Sequence, residues 1–279
     1  MNALYNIQQP DIDTLQSRLF ITVSLGGISF AVLNPGNTFC SLAAYAFPAN
    51  ARPDEVVQYI NEIYLSEKLL QQSFKRTCLI HAFAESILVP GEFMHTDSRQ
   101  DILELVYGND SERVIRNDFM PKHYIYNVYG IPFGVLSMLQ SKFPAAVHSH
   151  QYSCLPDIIK ASGNQLYFVF ENDHITIALS KDHQLQVVQN FALLSIADLI
   201  YYLLNICKQY GVDAKELSLH VAGIVKKDTL LYDELNAHFG DIVLEHLPGN
   251  FNYDAAIAKI PSHYFSHLFS LAACVSSAV

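Results

Sequence analysis

Residues 21–33 read ITVSLGGISFAVL, and this stretch decides the fold. Apolar residues on both sides of a glycine pair predict two β-strands joined by a turn at Gly26 and Gly27. Glycine favours such a turn because it adopts positive φ at little cost, and it also lets a phosphate come close to the backbone amides. The pattern therefore allows either a purely structural turn or a phosphate-binding turn.

The same pattern occurs twice in the chain. Residues 19–48 align without a gap on residues 166–195, and each segment predicts three consecutive strands separated by short turns. The alternation of apolar residues is clearest in the second segment, at Phe168, Phe170, Ile175, Ile177 and Leu179. A predicted helix follows each segment, at residues 53–70 and 195–211, and a further strand follows each helix.

Each half therefore predicts the element order βββαβαβα, which is an α/β fold with mixed sheets and helices on their faces. We expect a first lobe at residues 1–161 and a second at residues 162–279, with Gly163 as a candidate hinge. The first lobe contains an insertion at about residues 88–121, after which the alternation resumes with a strand at residues 123–132.

This duplicated plan resembles the actin-like ATPase superfamily, with its ribonuclease H-like fold, which includes actin, sugar kinases and heat-shock chaperones. In layout it is similar to the PilM protein of type IV pili and to the cytoplasmic part of the secretion protein GspL. More narrowly, CLIHAFAESILVPGEFM (residues 78–94) and IYNVYGIPFGVLSMLQSKFPAAVHSHQYSCLPDII (residues 125–159) resemble a family of uncharacterised bacterial proteins with this fold.

The resemblance implies where a nucleotide would bind. Members that use ATP hold it between the halves, and the first hairpin turn of each half contacts phosphates, usually with an Asp before a Gly. In this chain Ser24 stands where the first Asp is expected, although Gly26 and Gly27 remain. The metal-positioning carboxylate is therefore missing from the first turn, and we expect the two glycines to serve mainly as turn formers.

The other two elements of a nucleotide site are weakened as well. The second turn, Glu171-Asn172-Asp173-His174, has no glycine, and Glu171 or Asp173 would serve as a metal ligand or base only if Mg²⁺ were bound. A glycine pair that would seat adenosine is reduced to Gly223, followed by the β-branched Ile224. The candidate degenerate nucleotide cleft thus comprises Ser24, Gly26, Gly27, Asp173 and Gly223.

Two histidine pairs have spacings that metal sites use. His148 and His150 lie on one face of a predicted strand, with Cys154 nearby, and His263 and His267 are four residues apart on a predicted helix. Neither pair has an obvious third ligand. We therefore expect surface or half-buried histidines and no metal site.

Composition limits the classes of function. The formal charge of −10 argues against nucleic-acid binding, and no apolar run approaches the roughly 20 residues of a membrane span. Five scattered cysteines without a CxxC motif, together with a start that lacks the features of a secretory signal, favour a cytoplasmic protein with reduced thiols.

Together these patterns favour an intracellular protein-interaction scaffold that has lost ATPase catalysis and needs no cofactor. Its partner would be another protein or a second copy of the chain, bound by the cleft or by residues 88–121. Two alternatives stay open: an ATPase or phosphotransferase that binds Mg²⁺-ATP through atypical motifs, and a regulator that binds a small ligand without turnover.

Overall fold

The computed structural model describes residues 1–95, 98–159, 163–171, 174–193, 195–227 and 229–277. The chain divides into two compact units, which are described separately. The first unit comprises Met1–Cys154 and Asn250–Lys259, and the second comprises Leu155–Gly249 and Ile260–Val279. The lobe boundary predicted between residues 161 and 162 lies outside the described residues.

The first part of the chain forms two sheets and four helices within the described residues. Its strands are β1 (Tyr5–Gln8), β2 (Arg18–Val23), β3 (Gly27–Leu33), β4 (Thr38–Ala46), β5 (Arg76–His81), β6 (Ser86–Pro90), β7 (Arg113–Met120), β8 (Ile125–Pro132) and β9 (Val147–His150). Its helices are α1 (Pro53–Ser66), α2 (Arg99–Tyr107), α3 (Phe133–Lys142) and α4 (Gln151–Ile158).

The second unit repeats the plan of the first. Its strands are β10 (Gln165–Phe170), β11 (His174–Lys181), β12 (Gln184–Ala192), β13 (Ser218–Gly223) and β14 (Asp241–Leu244), and its first helices are α5 (Ile196–Gln209) and α6 (Leu230–His238). The sheet order is β12-β11-β10-β13-β14 here and β4-β3-β2-β5-β9 in the first unit. In both sheets the first two pairings are antiparallel and the last two parallel, which confirms the predicted mixed α/β fold.

The predicted alternation places apolar side chains in the main core of each unit. In the second unit the core joins the sheet to α5, and its members include Phe168, Ile175, Ile177, Leu179, Leu199 and Leu203. Helix α5 begins as predicted, because the Ser195 hydroxyl accepts a hydrogen bond from the Asp198 amide. In the first unit the core joins the main sheet to α1 and α3.

The insertion of the first unit forms a small sheet of its own, in the order β6-β8-β7. Strand β8 belongs to this sheet, whereas the sequence suggested a strand that resumes the main alternation. The reason is that both faces of β8 are buried. Tyr129 and Ile131 pack into the core of the main sheet, and Val128 packs with Leu103 of α2. A strand buried on both faces has the apolar pattern of a central strand in a larger sheet.

After β14 the chain contributes to both units again. Strand β15 (Asn252–Tyr253) pairs with β4 and is followed by α7 (Ala255–Ala258), both within the first unit. Helix α8 (Ser266–Ser277) then packs near β13 in the second unit. Within the described residues, no helix is both long enough and apolar enough to cross a membrane.

A buried carboxylate attaches the edge strand β1 to the first unit. Glu67, directly after α1, accepts hydrogen bonds from Asn6 Nδ2 at 3.0 Å, from Gln8 Nε2 at 2.6 Å and from the Tyr45 hydroxyl. Burial and the neighbouring carboxylate raise the pKa of Tyr45, so its hydroxyl keeps the proton that it donates. The three donors come from β1 and β4, which Glu67 thereby joins to the end of α1.

We expect Glu67→Ala to lower the free energy of unfolding by about 1–3 kcal/mol, because it leaves the buried Tyr45 hydroxyl without its acceptor. Glu62→Ala, on the exposed side of the same helix, is the matched control and should change it by less than about 0.5 kcal/mol. Urea denaturation of both variants measures the difference. Equal stability of the two would show that the Glu67 contacts contribute nothing.

Candidate functional site

The first hairpin turn is closed by its own polar groups. Ser24 N–H donates to Gly27 O at 3.0 Å, and the buried Ser24 hydroxyl accepts from Gly26 N–H at 3.1 Å. The Gly26 carbonyl in turn accepts from Phe47 N–H at 2.9 Å. Ser24 stands where an aspartate is expected, and its hydroxyl binds the Gly26 amide. A phosphate-binding turn would direct that amide at its ligand.

Besides the turn and phosphate-binding roles that the sequence suggested, Gly27 has a role in strand packing. Its φ is not positive, but a Cβ atom at this position would lie 2.5 Å from the backbone carbonyl oxygen of Tyr45 in the neighbouring strand β4. This separation is too short for any side chain. Gly27 is therefore required by the close approach of β3 and β4.

The second hairpin turn contains a paired carboxylate. Glu171 N–H donates to His174 O at 3.0 Å, and Glu171 Oε2 lies 2.8 Å from His174 Nε2 and 3.4 Å from the hydroxyl of Thr176. The Glu171 carboxylate is thus engaged by protein groups on β11. Asp173, the other predicted acidic residue of this turn, lies outside the described residues.

Gly223, at the end of β13, is held by the backbone of β10. Its φ is +94°, and an added Cβ would lie 2.1 Å from the Phe170 carbonyl oxygen, so only glycine fits. The structure thus brings Ser24, Gly26 and Gly27 together in one turn of the first unit and places Gly223 in the second.

His263 holds the loop after Gly223. The spacing of this residue and His267 in the sequence is one that metal-binding pairs use. Val225 N–H donates to Gly223 O at 2.9 Å, and Val225 O accepts from His263 Nε2 at 2.7 Å. His263 is therefore a structural residue of this loop. The prediction of one helix with both histidines is wrong, because α8 begins at Ser266 and contains only His267. Desolvation lowers the pKa of His267, and the Glu171 carboxylate opposes that shift.

This loop forms one wall of a cavity of about 470 Å³ within the second unit. The other walls come from the end of β10 and from the first turns of α5 and α6. The lining residues are Phe170, Leu193, Ser195, Ile196, Leu199, Ile224, Val225, Lys226, Thr229, Leu230 and Leu231. Its size and mainly apolar lining are typical of small-molecule sites.

A second group of polar residues is buried in the first unit, where the small sheet packs on β5 and β9. His81 Nε2 lies 2.9 Å from His148 Nδ1, and His150 Nε2 lies 3.0 Å from the Phe83 carbonyl oxygen. The predicted pair His148 and His150 is thus engaged by separate partners. Within the described ranges, no group of three or more His, Cys, Asp or Glu side chains is arranged to hold a metal ion.

Asp118 of β7 connects this polar group. Its carboxylate accepts hydrogen bonds from the hydroxyls of Tyr129, Ser149 and Ser153 at 3.0, 3.1 and 2.7 Å, and from the His150 amide at 2.8 Å. The contacts join β7 to β8, β9 and α4. Asp118 had no recognisable signal in the sequence beyond being an acidic residue in an otherwise strand-like segment.

Two histidines of this group, His81 and His148, favour the neutral form. Burial, together with His148, His150 and Arg116, keeps the pKa of His81 well below its usual value. Burial and Arg116 also lower the pKa of His148, although Asp118 opposes the shift. The group is therefore built to hold neutral rings at neutral pH.

The chain belongs to a family of proteins of unknown function, DUF3822, whose model matches residues 8–242. No curated protein matches the sequence. A solved structure from Bacteroides thetaiotaomicron, of a protein with an actin-like ATPase fold and unknown function, is 20% identical with a TM-score of 0.76, covering 94% of this chain and 99% of that one. The predicted actin-like ATPase fold and the predicted membership of an uncharacterised family are thereby confirmed.

Two other similar solved structures correspond to the pilus and secretion proteins whose layout the sequence resembles. A chain of the PilM–PilN type IV pilus biogenesis complex is 12% identical with a TM-score of 0.61, covering 93% of this chain and 98% of that one. The cytoplasmic domain of EpsL, an inner membrane component of the type II secretion system of Vibrio cholerae, is 12% identical with a TM-score of 0.48, covering 94% and 96%. Identities this low show the fold alone.

We expect Gly27→Ala and Gly223→Ala each to lower the free energy of unfolding by at least about 2 kcal/mol, because each Cβ would collide with a backbone carbonyl oxygen. Gly249→Ala is the matched control, since its Cβ would meet nothing within 4 Å, and it should cost less than about 0.5 kcal/mol. Chemical denaturation gives the three values. A Gly27→Ala protein as stable as the control would contradict the packing role of Gly27.

We expect stability to fall as the pH drops below about 6.5, because the unfolded chain then binds a proton at His81 that the folded protein resists. In His81→Gln the slope should be shallower by up to about 1.4 kcal/mol per pH unit. Urea titrations between pH 7 and pH 5 test this. The exposed His95→Gln control should keep the slope of the original protein, and identical slopes in both variants would contradict the assignment.

Proposed function

We propose that this protein is a non-catalytic member of the actin-like ATPase fold that works through protein contacts made by the insertion of its first unit. The observation that carries the proposal is a pair of apolar side chains turned to solvent on α2. Leu105 is 86% exposed and Val106 is 61% exposed, whereas Leu103 of the same helix is buried. Exposed apolar groups on an added element are typical of interaction surfaces.

The charge around this surface indicates the chemistry of the partner. On the same helix, Asp101 lies about one turn before Leu105, and Glu104 directly precedes it. Between residues 92 and 112 the sequence has one arginine, Arg99, and no lysine, whereas the acidic residues are Glu92, Asp97, Asp101, Glu104, Asp110 and Glu112. A partner segment that combines apolar and basic residues would suit this surface, because its charge complements the acidic side chains.

The two hairpin turns support the absence of catalysis. In the first turn the Ser24 hydroxyl accepts a hydrogen bond from the Gly26 amide, and in the second the Glu171 carboxylate accepts one from the Thr176 hydroxyl. Phosphoryl transfer depends on amides and carboxylates directed at the nucleotide and its metal ion. Groups already satisfied within the protein would have to give up those contacts before they could act.

The comparison with the type IV pilus proteins agrees with this proposal at the level of the fold. PilM was solved in a complex with PilN, so a protein with this fold can work by binding another protein. We also propose a cytoplasmic location, because Cys40, Cys78 and Cys207 are buried thiols outside any disulfide. Self-association is the alternative to a separate partner.

The catalytic alternative is tested with the purified full chain. We expect no rise in the melting temperature with millimolar ATP, ADP or a non-hydrolysable analogue, with or without Mg²⁺. Binding at 100 times the dissociation constant would add about 2.7 kcal/mol, which raises the melting temperature of a chain this size by several degrees. A Mg²⁺-dependent rise that Gly26→Val abolishes would overturn the non-catalytic reading and support an ATPase or phosphotransferase.

The contact surface is tested by a photo-crosslinking amino acid placed at position 105 in cells that naturally contain the protein. We expect a discrete crosslinked product that is lost when Val106→Asp is added. The matched control carries the same amino acid at position 65, because Leu65 on α1 is 63% exposed but lies outside the insertion. The same products from both positions, or none from position 105, would contradict the proposal. A product of twice the chain mass would identify self-association.

A further inference from the structure

We infer that the cavity of the second unit binds an apolar molecule that carries a single negative charge, such as an acyl or aryl carboxylate. This inference goes beyond the proposed partner contacts of the insertion and does not depend on them. It rests on the lining of the cavity, on the hydrogen bonds that its polar residues already make, and on the charge of its rim.

The walls of the cavity are apolar and come from four segments of the unit. Phe170 ends β10, Ile196 and Leu199 belong to the first turn of α5, and Ile224 and Leu231 come from the loop after β13 and from α6. A volume of about 470 Å³ falls within the range of small-molecule sites. An apolar chain or ring placed here would remove these side chains from water, which is the main source of affinity in such a site.

The hydroxyl groups in the lining are already committed within the protein. The Ser195 hydroxyl donates to Asp198 Oδ2 at 2.8 Å and accepts from Asp198 N–H at 3.2 Å. The Thr229 hydroxyl donates to Lys226 O at 2.7 Å. A sugar or another ligand with many hydroxyls would lose its hydrogen bonds to water without finding equivalent partners, and each unmet group costs about 1–3 kcal/mol. The ligand therefore has few polar groups.

Among the described residues that line the cavity, Lys226 is the charged one, and it is exposed. Because its ammonium group lies at the rim, the polar end of a ligand gains most if it is anionic. A single exposed lysine favours one negative charge and does not provide the several cations or the metal ion that a triphosphate needs.

The wall next to Lys226 is held in place before any ligand binds. Val225 O accepts from His263 Nε2 at 2.7 Å, and Gly223 is fixed against the Phe170 backbone. A site whose walls are already positioned loses less conformational entropy on binding than one that must order its loops. The cavity is therefore suited to a small ligand of modest affinity.

The experiment is isothermal titration of the full chain with octanoate, 1-octanol and octylammonium, which share an apolar chain and differ in charge. We expect saturable one-to-one binding of octanoate, tighter than that of octylammonium. Lys226→Gln should weaken octanoate by about two- to fivefold, the value of an exposed ion pair, and should leave octanol unchanged. The measured quantity is the ratio of the octanoate and octanol dissociation constants. A general loss of stability would weaken both ligands and leave this ratio unchanged.

A second variant tests the location of the site. Leu230 lines the cavity and is 65% exposed, so Leu230→Glu should fold normally yet weaken octanoate about tenfold, through lost apolar contact and charge repulsion. Leu65→Glu is the matched control, since Leu65 is 63% exposed in the first unit, and it should bind octanoate as the original protein does.

Three results would overturn the inference: no saturable binding of octanoate, octylammonium binding as tightly as octanoate, or equal octanoate binding by Leu230→Glu and Leu65→Glu. None of these results changes the outcome of crosslinking at position 105, so the proposed partner contacts are tested independently.

Discussion

The close approach of β13 to β10 at Gly223 is the constraint on which the second unit depends. The Phe170 carbonyl oxygen occupies the space of a side chain, and a φ of +94° turns the backbone at the same residue. This turn sends the chain into the loop of Ile224 and Val225, which His263 then holds. The position of the cavity wall is therefore decided by a backbone contact, and the glycine that suggested a nucleotide site has a sufficient structural cause.

The first unit shows the same principle at Gly27, where the carbonyl oxygen of Tyr45 takes the place of a side chain. Gly27, in the first of the predicted phosphate-binding turns, thus has a strand-packing role. The polar residues beside them have their hydrogen bonds within the protein, as Ser24 does with Gly26. Turn groups that are satisfied within the protein agree with the non-catalytic function that we propose.

The sequence was sufficient for the three consecutive strands and the following helix of each unit, because Ile175, Ile177 and Leu179 alternate strongly and the pattern occurs twice. The Ser195 cap was predictable for the same reason, since capping is local. The pairing of β8, the role of Gly27 and the contact of His263 with Val225 were not predictable, because each depends on residues far apart in the chain. Strand patterns identify a strand without identifying its neighbour.

The half-buried carboxylate of Asp118 anchors the insertion that we propose as a contact surface. A small sheet with one helix would be marginally stable alone, but Asp118 joins β7 to Tyr129, Ser149 and Ser153 of neighbouring elements. Tyr129 keeps its proton to donate, because burial and Asp118 raise its pKa. These hydrogen bonds attach the small sheet to β9 and α4, and α2 presents the exposed Leu105 and Val106 on that sheet. A rigid surface loses less entropy when a partner binds, and exposed apolar residues on such a support are better explained by binding than by folding.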